Sequence, residues 1–256
     1  MGRLLIDLPL AGHVNMARDE SLLAGCEADS PITLRFYAWS QPTISLGYFQ
    51  DFTEFERLEP PAGDLAVVRR TTGGGAILHD LEVTYSLTVP IDHPLVRDRP
   101  NQLYALAHEA IIEAIGGGLQ MARCYQLPPC GESSRRGPFF CFARRHALDV
   151  VTADSNGLGG FSKLAGSAQR RTRGAILQHG SIMLDSRFAQ QPVATWKSLG
   201  GPVDFAAAVA QFTPAFESRF GMRFDPSEWT ADELGRSARL ESKYAGEAWT
   251  KNRQTQ

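Results

Sequence analysis

The stretch KLAGSAQRRTRGAILQHGSIML, residues 163 to 184, lies in the strand-rich middle of the chain and decides the fold class. Small residues follow its first lysine, so KLAGSAQ predicts a strand with a close-packed surface and one long cationic side chain. In a regular strand Lys163, Ala165 and Ser167 point to one face. If that face is inward, the buried ammonium needs an anion or a carbonyl oxygen beside it; otherwise Lys163 is an ordinary solvent-facing lysine.

Strand-like and helix-like runs are interleaved along the chain. The predicted strands lie in ITLRFYAW (32–39), TISLGYF (43–49), LAVVRR (65–70) and VTYSLTVP (83–90). Helical patterns cover Asn15 to Cys26, 51–59, Pro100 to Ala114 and the region after about Pro202. Asn156-Gly157, between two strand-like runs, predicts a hairpin. With strands between 32 and 185 and helices around them, the pattern predicts one α/β (α+β) domain over residues 1–256, with a helical C-terminal tail from about 200.

The overall charge is close to neutral, with 26 Lys and Arg against 28 Asp and Glu in 256 residues. This balance argues against nucleic acid as the main partner, because a protein that binds a polyanion usually carries a basic surface. Apolar stretches are interrupted well before the ~20 residues of a membrane span. Asp7 would fall inside the apolar core of a signal peptide. The expectation is a cytoplasmic protein with no membrane partner.

The four cysteines, at positions 26, 124, 130 and 141, form neither a disulfide framework nor a CxxC metal clamp. The six histidines have no HExxH companion, so no metal site is expected. Cys141 lies in PFFCFARR (138–145), where apolar neighbours raise a thiol pKa and the two arginines lower it. Cys141 is either a reactive thiol or a small buried hydrophobe, which is the usual state of a free cysteine.

The segment RRTTGGGAILHD (69–80) combines three glycines with two arginines directly after a predicted strand. Glycines leave the backbone bare where a ligand can lie against it, and arginine donors suit a carboxylate or a phosphate. The segment matches neither GxxxxGK[ST] nor GxGxxG, so neither phosphate-loop motif applies. The alternative is a glycine-rich loop with two surface arginines, and His79 and His179 are equally open to a structural role.

Five segments together resemble the lipoate–protein ligase and octanoyltransferase family of the biotin/lipoate ligase superfamily. They are NMARDESLL (15–23), FYAWSQPTISLGYFQ (36–50), RRTTGGGAILHD (69–80), the stretch 163–184 quoted above and KYAGEAW (243–249). The resemblance implies a biotin/lipoate ligase-like catalytic domain with a mixed β-sheet core. An acyl chain then lies in a tunnel with its carbonyl end near Lys163. The substrate-binding residues implied by the match are Arg70, Thr72, Gly73, Gly74, Gly75, Ala76, Ile77, Leu78, His79, Gly166, Ser167, Ala168, Gln169 and His179.

The family contains two chemistries, and the pair Cys141-Phe142 resembles the octanoyltransferase branch. In that branch octanoyl (or lipoyl) passes from acyl carrier protein to the cysteine as a thioester, without a cofactor. It then passes to the acceptor lysine of a lipoyl domain, in a glycine cleavage H protein or a 2-oxoacid dehydrogenase E2 subunit. The resemblance makes Cys141 the nucleophile and gives Lys163 the tasks of holding the thiolate and stabilising the oxyanion. The roughly 70 residues after the last predicted strand also leave little room for the accessory domain that ligases usually carry.

The alternative within the family is an ATP-dependent lipoate–protein ligase, which needs ATP and Mg and acts through lipoyl-AMP; the triplet Gly73-Gly74-Gly75 is typical of that branch. A second alternative is a non-catalytic scaffold that binds a lipoyl domain or a fatty acid. The expected docking residues for an acidic carrier or acceptor are Arg135, Arg136, Arg144 and Arg145.

Overall fold

An eight-stranded mixed sheet and a three-stranded sheet form the computed structural model within the residues it describes, which are 1–99, 101–122, 138–144, 146–153 and 160–254. The strands of the larger sheet are, in spatial order, β11 (Phe224–Pro226), β1 (Gly2–Ile6), β2 (Thr33–Tyr37), β6 (Glu82–Pro90), β10 (Ala175–Met183), β9 (Phe161–Arg171), β8 (Val150–Ala153) and β7 (Gln120–Met121). β1 runs parallel to β2 and β11, and the remaining neighbours are antiparallel. The smaller sheet has the order β4 (Ala66–Arg69), β3 (Thr43–Leu46) and β5 (Ile77–His79).

Helices cover both faces of the larger sheet. They are α1 (Gly12–Ala24), α2 (Phe52–Phe55), α3 (Gln102–Ile115), α4 (Phe205–Phe220), α5 (Ala231–Ala245) and α6 (Glu247–Asn252). The main core lies between one face of the sheet and helices α3 and α4, where Phe36 of β2 packs against Phe212 and Phe216 at ring-centroid distances of 6.3 and 5.6 Å. Each fully buried aromatic of this kind contributes about 1.5–3 kcal/mol. The opposite face is covered by α1 and the smaller sheet, and the candidate site lies on that side.

The predicted strands 32–39, 43–49, 65–70 and 83–90 and the long helices are confirmed, with ends shifted by a few residues. The predicted strand range of 32 to 185 was too narrow, because β1 and β11 lie outside it. β1 is a short apolar run, and β11 has three residues and exists only as a parallel neighbour of β1. Their pairing depends on contacts across more than two hundred residues, which no local pattern reveals.

Two local predictions were less accurate at their ends. The helix expected over 51–59 ends at Phe55, since the Leu58 N–H donates to the Phe55 carbonyl and tightens the chain into a turn. The hairpin predicted around Asn156-Gly157 agrees with the antiparallel pairing of β8 and β9, but the turn itself lies outside the described residues. No helix in the described ranges is both long and apolar enough to cross a bilayer.

Candidate active site

Cys141, Lys163 and Asp149 form a charged cluster at one end of the interior. The Lys163 Nζ lies 3.6 Å from the Cys141 Sγ and 3.0 Å from the Asp149 Oδ2. Lys163 is only 3% exposed, and burial disfavours its charge. Cys141 and Asp149 outweigh that effect and raise the pKa of Lys163 above its ordinary value of 10.5. The lysine is therefore a cation held between one sulfur atom, of Cys141, and one carboxylate oxygen, of Asp149.

The glycine-rich segment positions Cys141 through backbone hydrogen bonds. The Ala76 N–H donates to the Phe139 carbonyl at 2.9 Å, and the Cys141 N–H donates to the Ala76 carbonyl at 2.7 Å. Gly75 lies so close to this second segment that a Cβ there would be 3.0 Å from the Cys141 nitrogen and 2.9 Å from the Arg144 Nε. Two segments far apart in sequence thus form one rigid edge, which carries the thiol at its end.

A β-bulge sets the direction of the Lys163 side chain. β8 pairs Val151 with Lys163 and then Val150 with Ala165, so Leu164 is an extra residue on β9. The alternation of side chains changes there, and Leu164 and Ala165 both face the main core. Lys163 instead folds across Gly166, where a Cβ would lie 2.3 Å from its Cε. The predicted common face for Lys163, Ala165 and Ser167 was therefore wrong, because the bulge reverses the pattern between them.

A narrow cleft with a cavity volume of about 20 Å³ lies between the two sheets and α1. Its apolar wall comes from aromatic and aliphatic side chains, namely Met16, Tyr37, Trp39 and Ile77. Its polar wall comes from Arg70, His79, His179 and Ser181, and the small residues Ala168 and Gly180 leave the space open. Ile77 also packs with Phe142 and Cys141, so the cavity leads toward the thiol.

The two arginines of the glycine-rich segment are buried, which corrects the prediction that they are surface residues or free donors for an anionic ligand. Arg69 donates to the backbone carbonyls of Gly47, Tyr48, Gln50 and Thr250. Arg70 donates to the carbonyls of Ser45, Gly73 and Gly75 and to the hydroxyls of Ser45 and Thr72. Arg70 thereby holds the glycine-rich turn through the Gly73 and Gly75 carbonyls, whereas the acceptors of Arg69 lie at 47–50 and in α6.

The two histidines of the cavity wall belong to hydrogen-bonded chains that start at Arg70. His179 Nδ1 lies 3.0 Å from the Asp19 Oδ2, and its Nε2 lies 2.7 Å from the Thr72 hydroxyl, which accepts from Arg70. His79 contacts the Glu82 carboxylate through Nδ1 at 2.8 Å and the Ser45 hydroxyl through Nε2 at 2.7 Å. Burial lowers the pKa of His79, although Glu82 opposes this, so the ring is neutral at pH 7.

Several residues expected to bind substrate lie away from the cavity. Leu78 packs into a separate apolar cluster with Ile44 and Leu46, because it alternates with Ile77 and His79 along β5. Ser167 and Gln169 lie on the opposite face of β9, where Ser167 contacts Tyr85 and His108 and Gln169 contacts Gln178. These three side chains therefore do not reach the cavity.

Gly73 and Gly74 lie at the rim of the glycine-rich turn, with Thr72 buried beneath them. Gly74 has a φ of 93°, a conformation that favours glycine. Phe49, which is 73% exposed, is the neighbour that a Cβ on Gly73 would approach, at 3.9 Å. The rim therefore presents bare backbone and one aromatic ring to solvent.

Sequence reasoning did not identify Asp149 or Asp19. Asp149 precedes a predicted strand without any motif around it, and its contact with Lys163 depends on the bulge in β9. Asp19 lies inside NMARDESLL, but its role follows from burial beside Arg35, to which it is bonded at 2.7 Å. Periodicity on α1 could have suggested a buried carboxylate, since Asp19 lies one turn after Asn15 and Met16 on the apolar side.

The remaining predicted residues are cysteines and arginines, and only some of them lie within the described ranges. Cys124, Cys130, Arg135, Arg136 and Arg145 lie outside the described residues. Cys26 is a free thiol, and burial raises its pKa to about 11, which keeps it protonated. Arg144 donates from Nε to the Pro138 carbonyl at 2.7 Å. Within the described ranges no group of three or more His, Cys, Asp or Glu side chains is arranged to hold a metal ion.

Comparison with known proteins gives a consistent result. The model of the lipoyl protein ligase A/B catalytic domain matches residues 11–197. Octanoyltransferase LipM of Moorella thermoacetica is 36% identical over 94% of both chains, and octanoyltransferase LipM of Bacillus subtilis is 31% identical over 93% of this chain and 94% of its own.

Two solved structures have the same fold over nearly their full length. A lipoate-protein ligase A bound with ATP superposes with a TM-score of 0.75 at 19% identity and covers 98% of both chains. The bi-partite lipoate protein ligase of Thermoplasma acidophilum superposes with a TM-score of 0.71 at 19% identity, covering 100% of this chain and 98% of its own. At such identities the likeness concerns the fold alone.

Proposed function

The chain belongs to the lipoyl protein ligase A/B catalytic domain family, and from this premise we propose that it is an octanoyltransferase of protein lipoylation. The enzyme moves an octanoyl group from acyl carrier protein to the acceptor lysine of a lipoyl domain, through a thioester on Cys141. The observation that carries the proposal is the 3.6 Å contact between the Cys141 Sγ and the buried Lys163 Nζ. A thiol beside a buried ammonium ionises more readily, and the thiolate is the nucleophile.

The first step acylates the enzyme. The Cys141 thiolate attacks the carbonyl carbon of octanoyl–acyl carrier protein, and the negative charge moves to the carbonyl oxygen. The Lys163 ammonium lies 3.6 Å from the sulfur, so it stabilises this oxyanion. The tetrahedral intermediate collapses, the bond to the carrier sulfur breaks, and the carrier leaves as a thiolate that takes a proton from solvent.

The second step transfers the octanoyl group to nitrogen. The neutral amine of the acceptor lysine attacks the thioester carbon, a C–N bond forms, and the amine loses one proton. The C–S bond to Cys141 then breaks and regenerates the thiolate beside Lys163. No nucleotide is consumed, because a thioester is already activated toward an amine.

The cavity between the sheets suits the alkyl part of this substrate. It begins near Cys141 through Ile77 and continues past the rings of Trp39 and Tyr37. Each methylene group buried there stabilises the bound chain by about 0.8 kcal/mol. Ala168 and Gly180 at the opposite wall keep the passage free of bulky side chains. The narrow apolar lining suits a linear saturated chain once the walls separate to admit it, whereas the polar end of the substrate stays at the thiol.

The acceptors are lipoyl domains of the glycine cleavage H protein or of 2-oxoacid dehydrogenase E2 subunits. The bi-partite lipoate protein ligase of Thermoplasma acidophilum belongs to a lipoylation system together with its E2 lipoyl domain, which supports an acceptor of this class. The exposed backbone at Gly73 and Gly74 lies beside the edge that carries Cys141, and this gives the acceptor lysine a place to approach.

Intact-protein mass spectrometry tests the function directly. Incubation with octanoyl–acyl carrier protein, without ATP, is expected to add one octanoyl group to the wild type and none to Cys141→Ser. The matched control is Cys26→Ser, which removes the other free thiol of the described residues and should keep the adduct. Hydroxylamine should reverse the adduct. Lipoate turnover that depends on ATP, with no adduct on Cys141, would contradict the proposal and indicate a ligase.

A further inference from the structure

Asp149 contacts Lys163 but takes no part in the bonds that form and break during transfer. Its Oδ2 lies 3.0 Å from the Lys163 Nζ and also accepts the His146 N–H at 2.7 Å. The preceding residue is fixed as well, because the Leu148 carbonyl is hydrogen-bonded to the buried His108. Asp149 is only 4% exposed. The carboxylate is therefore held in place independently of the state of Cys141.

The charge around Lys163 changes during the reaction. When Cys141 attacks as the thiolate, the ammonium faces two anions, the Asp149 carboxylate and the attacking sulfur. In the octanoylated enzyme the sulfur is a neutral thioester, so one of the two anions disappears. A buried ammonium without a counter-ion loses its proton, since desolvation favours the neutral amine. Lys163 would then be unable to stabilise the second oxyanion as a cation.

We propose that Asp149 is a positioning residue that keeps Lys163 charged and in place at the octanoyl thioester, so that the second transfer step proceeds with a cationic lysine. The inference rests on the proposed transferase function. It assigns the two partners of Lys163 to different stages: Cys141 matters for the acylation step, and Asp149 matters for the transfer to the acceptor amine.

The surroundings support a specific role for this carboxylate. The titratable and charged groups near Lys163 come from the glycine-rich turn, the segment around Cys141, the turn before β8 and helix α3; they are Arg70, Cys141, Arg144, His146, Asp149, Tyr104 and His108. Burial lowers the pKa of His108 to about 4, so it stays neutral at working pH. Within this set Asp149 alone supplies a carboxylate.

Single-turnover transfer from the isolated acyl-enzyme tests the proposal. Wild type and Asp149→Asn are loaded with octanoyl from acyl carrier protein, freed of donor and mixed with a lipoyl domain. The octanoylated acceptor is measured by mass spectrometry. The transfer rate of Asp149→Asn is divided by that of the wild type. The pH dependence that comes from ionisation of the acceptor amine is common to both rates, so it cancels in this ratio. We expect this ratio to fall roughly 10- to 100-fold at about pH 8.5, while acylation changes less than about threefold.

A Lys163→Arg background separates charge retention from simple positioning. A guanidinium stays protonated without help, so Asp149→Asn should slow transfer less than about threefold in that background. An equal loss in both backgrounds, or a ratio near one in the wild-type background, would overturn the proposal. Asp185→Asn, which removes the partner of the exposed Lys197, is the matched control and should leave both steps unchanged. Absence of any octanoyl adduct on the wild type would instead refute the transferase function itself.

A measurement on the unmutated side chain covers the case in which Asp149→Asn fails to fold. In octanoylated wild type with ¹⁵N-labelled lysine, the Lys163 Nζ resonance, assigned by its loss in Lys163→Arg, should remain that of an ammonium up to about pH 9. A Lys163 that titrates below about pH 8 in the acyl-enzyme would show that Asp149 does not keep it charged.

Discussion

Gly75→Ala tests whether the glycine-rich segment sets the position of the thiol. The new Cβ would lie 3.0 Å from the Cys141 nitrogen, 3.0 Å from the Phe139 carbonyl oxygen and 2.9 Å from the Arg144 Nε. Two of these three atoms belong to the backbone of the segment that carries the thiol, so they cannot move aside by a change of rotamer. The backbone angles of Gly75 are not in the left-handed region, and the strain therefore comes from contacts alone.

The size of the effect follows from these distances. An ordinary contact is 3.4 Å or more, so the segment must move by about 0.4 Å. If Cys141 and Lys163 separate by that amount from 3.6 Å, their attraction at an effective dielectric constant of about 20 falls by roughly 0.5 kcal/mol, or about twofold in thiolate. Misalignment matters more, because a displacement of ~1 Å at a reacting centre costs about a hundredfold in rate. We expect octanoyl transfer to fall about tenfold and thiol alkylation about twofold.

Two assays on purified protein measure these effects. The rate of Cys141 alkylation by iodoacetamide reports thiolate, and single-turnover octanoyl transfer reports alignment. Gly235→Ala in α5 is the control, since its Cβ would meet nothing nearer than the Arg239 Nη1 at 3.6 Å. The reasoning is refuted if Gly75→Ala transfers octanoyl as fast as the wild type, or if Gly235→Ala loses as much activity.

Two further predictions concern stability. Burial opposes the charge of Asp19, but Arg35 together with His179 and Ser86 outweighs it and holds the pKa below the ordinary 3.8; its stabilisation is therefore full above pH 3.8 and lost as pH falls through the lower folded-state value. Urea unfolding at descending pH should show a steeper loss for the wild type than for Asp19→Asn, and parallel curves would contradict this. Thr230→Ala removes the capping box of α5 and should lower the free energy of unfolding by about 1 kcal/mol, which Thr230→Ser should largely restore in the same titration.

Periodicity predicted most elements because each long helix and central strand buries a recognisable pattern of its own. The Lys163 side chain shows where that reasoning ends. A strict alternation placed it on the face of Ala165 and Ser167, whereas one extra residue, Leu164, sends it to the other face. A bulge is stabilised by the neighbouring strand, in this case by the pairing with Val150 and Val151, and the sequence of β9 alone does not contain it.

For the candidate site too, local sequence patterns identified some residues, whereas others depend on contacts between distant segments. Cys141 and Lys163 were named from their segments, and the structure brings them to 3.6 Å across 22 residues. No sequence pattern identified Asp149, because an aspartate before a strand is common in turns. Its role depends on the side chain that it contacts in the fold, which is Lys163. Arg70 was expected to line the ligand cleft, and the sequence could not show that backbone carbonyls already occupy donors of its guanidinium.

Arg70 explains why an arginine next to three glycines need not bind an anionic ligand. Its Nε donates to Thr72, which contacts His179 and through it Asp19. Its Nη1 donates to Ser45, whose hydroxyl contacts His79. One buried cation is thus connected through two hydroxyl–imidazole pairs to two buried carboxylates, and burial still lowers the pKa of Arg70 to about 10. Its Nη2 remains directed at the Gly73 and Gly75 carbonyls, and the turn that fixes Cys141 is therefore held from inside the cavity wall.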